Sequence, residues 1–133
     1  MTSVLLATDA DWIADEVVAA LADDDTTVSR VRAGAHVRAA VGELEPELVV
    51  LDLQIGNMGG IAAALDLRLE AGAGRLPHTR VLLLLDREAD VWIARQADSD
   101  GWLLKPLDAF RLRRAAAAVL SGDTWFEGLP EPV

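Results

Sequence analysis

Cysteine is missing altogether. That excludes a disulfide framework, thiolate metal sites and a cysteine nucleophile. Basic residues are scarce: 12 Lys and Arg stand against 22 Asp and Glu, a formal net charge of −10. Phosphate repels such a chain and few counterions would be released on binding, so direct nucleic-acid binding is not expected. The charge suits cations or basic partner patches. Long apolar runs are lacking too. Residues 81–85, among the longest, fall far short of the ~20 that a bilayer span needs. Met1, Thr2 and Ser3 lack the basic segment of a leader. A cytosolic location with no membrane contact is the resulting expectation. What remains is ample for a core: 52% of the 133 residues are hydrophobic. That is too apolar for a disordered chain and suits one domain, with no room for a second of ordinary size.

Short continuous apolar runs alternate with amphipathic segments, the pattern of strands buried on both faces by helices. Strands are read at 4–7, 26–31, 48–51, 81–85 and 101–104, the second half polar and therefore at an edge. Helices are read at about 11–22, 37–44, 58–70, 87–97 and 108–120. Ile13, Val17, Ala20 and Leu21 share one face of the first, and Ile61, Leu65 and Leu69 stack along the third. Asp11 and Asp108 are candidate N-caps. Residues 1–121 form one domain in this reading. Residues 122–133 form a tail without regular structure and carry no output domain. Five β-α units at this spacing argue for a parallel sheet with helices on both faces.

In such sheets ligands sit beyond the carboxyl ends of the strands. Thr8 and Asp9 follow the first strand, Asp52 the third, Leu85 and Asp86 the fourth, and Lys105 the fifth. Two carboxylates can hold Mg²⁺, which takes oxygen ligands and keeps several waters. A metal and an ammonium together screen a phosphoryl group, so that one carboxylate can attack phosphorus.

Three segments resemble one family, the response-regulator receiver domain, over nearly the full length. They are Val4-Leu5-Leu6-Ala7-Thr8-Asp9, residues 46–60 with Leu51-Asp52-Leu53-Gln54 and Met58-Gly59-Gly60, and Asp100-Gly101-Trp102-Leu103-Leu104-Lys105-Pro106. The resemblance implies a flavodoxin-like (βα)5 fold with a five-stranded parallel sheet of order 2-1-3-4-5. It implies Asp52 as phosphoacceptor, Asp9 and Asp52 as Mg²⁺ ligands, and Gln54 as the position whose backbone carbonyl completes the metal shell. Lys105 would contact the phosphoryl oxygens, and a cis peptide usually precedes the following proline. Trp102 would be the aromatic that reports activation. The implied function is a stand-alone receiver in phosphorelay signalling, an acceptor and not an enzyme. A histidine kinase or phosphotransfer protein would phosphorylate it. Its output would pass from the surface of the fourth helix, fifth strand and fifth helix to another protein or a second copy of the chain.

The departures from the family pattern are specific. Thr8 replaces the first acid of the metal pair, so metal affinity should fall. Leu85 replaces a hydroxyl residue that bonds the phosphoryl group in the switch. Asp86 adds charge at the pocket rim unless it caps the next helix, the role more common for such a residue. Gly56 and Gly59 replace the usual proline and aspartate. Thr8 and Leu85 favour a rival reading, a pseudo-receiver that binds partners without taking phosphate, and Asp52, Asp9 and Lys105 oppose it. A Mg²⁺-dependent hydrolase is a poorer fit, because Gln54 stands where a second acid is needed. His36, His78 and the arginines 111, 113 and 114 read as surface residues, and Trp92 as a packing residue.

Overall fold

Every strand that reads as continuously apolar lies inside the sheet. The structure, a computed structural model, describes residues 1–128. β1 (Thr2–Ala7), β3 (Leu48–Asp52) and β4 (Arg80–Leu85) occupy the middle, and half-polar β2 (Thr26–Val31) lies at one edge. β5 (Gly101–Leu104) pairs with β4. All neighbours are parallel, in the order β2-β1-β3-β4-β5-β6. The expected order of five strands therefore stands, extended by one.

The addition corrects the reading of the tail as irregular. β6 (Trp125–Phe126) pairs with Gly101 and Trp102. Without it β5 would present unpaired N–H and C=O groups along an open edge. The remainder of that tail, residues 129–133, lies outside the described residues.

Alternation along each strand splits the core into two layers. Leu6, Val50, Leu82 and Leu103 point to one face, under α1 (Asp11–Leu21) and α5 (Ala109–Leu120). Leu5, Val49, Leu83 and Trp102 point to the other, under α2 (Val37–Leu44), α3 (Gly60–Gly72) and α4 (Val91–Ala94).

α1 buries the predicted Ile13, Val17, Ala20 and Leu21. Asp11 is not its N-cap. Ala10 holds that place, and Asp11 instead accepts hydrogen bonds from Arg30 and Arg32, which hold its carboxyl below the usual range. Asp108 does cap α5, accepting from the Arg111 N–H at 2.8 Å.

α3 begins at Gly60 and not at Met58, because Asn57 and Met58 adopt left-handed φ values of 53° and 76°. Its predicted stripe is also rotated. Leu69 is 71% exposed, while Ala63, Ala64 and Leu67 are buried. Small side chains let this helix lie close on the sheet.

The expected helix over 87–97 is a single α turn, α4, between 3-10 turns at Glu88–Asp90 and Arg95–Ala97. Trp92 within it is 75% exposed, against the expectation of a packing role. Both histidines are on the surface, as read. Among the described residues no helix is long and apolar enough to cross a membrane.

Candidate functional site

Asp52 ends β3, one residue past the apolar run that sets its register, and only 2% of it is exposed. A carboxylate so enclosed requires partners. Oδ1 accepts from Lys105 Nζ at 2.7 Å and from the Gln54 N–H at 3.3 Å. Oδ2 accepts from the Thr8 hydroxyl at 2.7 Å. Thr8 is fully buried at the start of the β1–α1 loop, and its hydroxyl accepts in turn from the Ala10 N–H at 3.1 Å. The direction of the Thr8 proton toward Asp52 is thereby fixed.

Lys105 reaches the same place from the end of β5. Its Nζ also bonds Asp86 Oδ1, at 2.6 Å. Burial pulls the pKa of this amine down, but the hydrogen bonds and charges of Asp52 and Asp86 outweigh burial and raise it above the ordinary value. The Lys105–Pro106 peptide is cis, as the family resemblance leads one to expect.

Asp86 thus faces the lysine and does not cap the following helix. Asp90 does that work, accepting from the Arg87 N–H at 3.0 Å. The second oxygen of Asp86, Oδ2, is buried without a hydrogen-bond partner among the described residues. Leu85 ends β4 opposite Leu104 and is wholly buried in the same apolar layer as Trp102. The polar group beside the amine comes from position 86 and not from position 85.

Asp9 stands apart from the Asp52–Lys105 hydrogen bonds. Its Oδ2 accepts from the Gly56 N–H at 3.0 Å. A Cβ at Gly56 would lie 3.3 Å from that oxygen, so this glycine leaves room around the carboxylate. Gln54 follows on the loop, with its side chain exposed. Among the described residues no group of three His, Cys, Asp or Glu is arranged as a metal site. The available donors are the hard oxygens of Asp9 and Asp52. They fit a hydrated Mg²⁺, which is commonly held by one or two carboxylates, waters and substrate phosphate.

Trp102 is 4% exposed and packs against Phe126 in a tilted pair, with ring centroids 4.4 Å apart and planes at 47°. Its Nε1 donates to the Glu127 carbonyl at 2.7 Å. Glu127 escaped the sequence reading, as did the role of Arg111, which read as solvated. The arginine donates to the Glu127 carboxylate and to the carbonyls of Leu104, at 2.8 Å, and Pro106, at 2.9 Å. The run Trp125-Phe126-Glu127, two aromatics and an acid after a glycine turn, is the one signal that pointed there.

Removing the Thr8 hydroxyl tests how tightly the pocket is closed. Thr8→Val keeps the shape but strips Asp52 Oδ2 and the Ala10 N–H of their partner. A loss of about 2 kcal/mol is expected, read in urea unfolding as a lower midpoint at unchanged slope.

Fold and site together define a doubly wound parallel α/β protein with a buried carboxylate–amine pair at the C-terminal edge of its sheet. The chain belongs to the response regulator receiver domain family, whose model matches residues 4–117. It is 29% identical over 103 residues to the nitrate/nitrite response regulator NarL of Escherichia coli, covering 77% of this chain and 46% of that protein. The receiver domain of a NarL response regulator from Mycobacterium tuberculosis superposes with a TM-score of 0.77 at 27% identity, covering 91% and 97% of the two chains. Chemotaxis regulator CheY4 of Vibrio cholerae shares the fold, with a TM-score of 0.78 at 21% identity over 90% and 98%. The chain spans about half the length of the curated relatives it matches.

Proposed function

We propose that this chain is a receiver in two-component signalling that accepts a phosphoryl group on Asp52. The observation that carries the reading is the Lys105 ammonium, 2.7 Å from a carboxylate that is otherwise closed off from solvent. An amine there neutralises charge on an incoming phosphoryl group. Asp52 would supply the attacking oxygen, and the partner's phosphohistidine would give up its bond to phosphorus and leave as imidazole. Mg²⁺, held by Asp9, Asp52 and the Gln54 carbonyl, would add Lewis-acid stabilisation of the phosphoryl oxygens. Thr8 would hold Asp52 Oδ2 in place. The protein acts as an acceptor and not as an enzyme with a substrate of its own. It works in the cytosol between a histidine kinase, or a phosphotransfer protein, and a downstream protein.

The test is incubation with a small phosphodonor and Mg²⁺, followed by intact mass. A gain of one phosphoryl group is expected, lost in Asp52→Asn. An unchanged mass at millimolar Mg²⁺ overturns the reading.

One observation favours a second reading. The Thr8 hydroxyl already occupies one Asp52 oxygen, and Leu85 offers no hydroxyl, which fits a module that binds its partner without phosphate. Beryllofluoride with Mg²⁺ separates the two. A shift in Trp102 fluorescence and in melting temperature supports phosphate acceptance, and flat signals support the phosphate-independent module.

A further inference from the structure

Lys105 is one cation shared by two carboxylates. Its Nζ lies 2.7 Å from Asp52 Oδ1 and 2.6 Å from Asp86 Oδ1. The two acids are held very differently. Asp52 is enclosed and also accepts from the Thr8 hydroxyl and the Gln54 N–H. Asp86 sits at the rim, with 29% of its side chain exposed, and the lysine is its one side-chain partner among the described residues. Its Oδ2 is buried without a hydrogen bond. That is an unfavourable state for a carboxylate oxygen, and turning outward would return the oxygen to water. Asp86 stands one residue past β4, beyond the ladder that fixes Leu85. Its side chain can therefore turn without unpairing the strand.

A phosphoryl group on Asp52 would bring further negative charge to this amine. The ammonium has a third N–H, so the number of donors alone does not force Asp86 off. Charge does. A carboxylate and a phosphoryl group on one ammonium repel at close range, where burial limits screening. Asp52 is tied down by three contacts and Asp86 by one, so Asp86 is the group that yields.

We infer that Asp86 is a resident anion on Lys105, a built-in competitor that an incoming phosphoryl group must displace. It thereby sets how readily the pocket accepts one. Asp86 forms no bond to phosphorus. Lys105 exchanges one hydrogen-bond acceptor for another, and Asp86 swings to the rim. The inference rests on the reading of Asp52 as acceptor for its place in signalling, but the exchange of anions on Lys105 is testable with that acceptor removed.

The first arm uses the full chain carrying Asp52→Asn, without Mg²⁺. The probe is sulfate at constant ionic strength, followed by melting temperature. Asp86 keeps its hold on Lys105 in this variant, so sulfate should raise the melting temperature little. In Asp52→Asn/Asp86→Asn the half-saturating sulfate concentration should fall by about tenfold, the worth of one hydrogen bond to a charged group. Adding Lys105→Met should abolish the shift. The second arm keeps Asp52 and follows mass gain from a small phosphodonor with Mg²⁺. Asp86→Asn should gain its phosphoryl group faster than the wild type by a similar factor, and Asp86→Glu, which restores an anion, should be slow again. A substitution that only loosened the pocket would raise neither affinity nor rate. Should Asp86→Asn fold poorly in either background, Asp86→Ser takes its place. Equal sulfate affinity with and without Asp86 overturns the inference, and so do equal rates of mass gain in the wild type and Asp86→Asn. Sulfate binding gained as expected, with no mass gain in any chain that keeps Asp52, supports the competitor and overturns the acceptor reading instead.

Discussion

Lys105→Met is expected to lower stability by about 3 kcal/mol at neutral pH, the scale seen when one partner of a buried ion pair is removed. The amine is the shared cation of Asp52 and Asp86. Without it, the buried Asp52 carboxylate and the partly buried Asp86 carboxylate lose the cation they share. Asp52→Asn should cost less, because Lys105 keeps Asp86. The raised pKa of Lys105 means its contribution is fully present below the ordinary lysine value of 10.5 and is lost as pH climbs through the folded value. Urea unfolding at pH 7 checks the variant. Adding Asp86→Asn should return about 1 kcal/mol, the size of one ordinary hydrogen-bond or pair contribution. A Lys105→Met chain as stable as wild type at pH 7 would show that the pocket is wet and weakly coupled.

Gly34→Ala should be of similar severity for a steric reason. A Cβ at this residue would stand 1.6 Å from the Met58 carbonyl oxygen and 2.6 Å from its carbon. Backbone cannot yield as a flexible side chain does. Gly34 and Ala35 also donate their N–H groups to Gly56 and Asn57, at 3.0 and 2.7 Å, which ties down the loop that follows Asp52. Overpacking of this kind costs about 3 kcal/mol, measured as a lower urea midpoint, and it should loosen the Asp9–Gly56 contact at the pocket. Gly72→Ala is the control. Nothing lies within 4 Å of its added Cβ, and the change should be neutral or stabilising by about 0.5 kcal/mol. Equal melting of the two variants would mean the loop moves freely.

The parallel sheet was legible because its central strands are continuous apolar runs, which only burial on both faces explains. The pocket residues were legible because strand ends in such sheets converge, and Asp52 and Lys105 do meet. Other features left weaker marks. In α3, Ile61, Leu65 and Leu69 keep a helical spacing as good as that of the buried Ala63, Ala64 and Leu67, and alanine gives little hydrophobic signal. Asp86 could not be separated from a cap, since both roles place an acid just after a strand. A two-residue strand has no period to detect, and Glu127 is a lone acid in a tail. Its importance arises from where α5 delivers Arg111, which is a tertiary fact.

The segment between β4 and β5 has one further consequence. With a single helical turn flanked by tighter ones, residues 88–97 own few mutually reinforcing backbone bonds. Cooperative helix formation needs several turns to offset the cost of the first. This stretch therefore melts at lower cost than the longer helices α3 and α5, which have several turns each to reinforce one another.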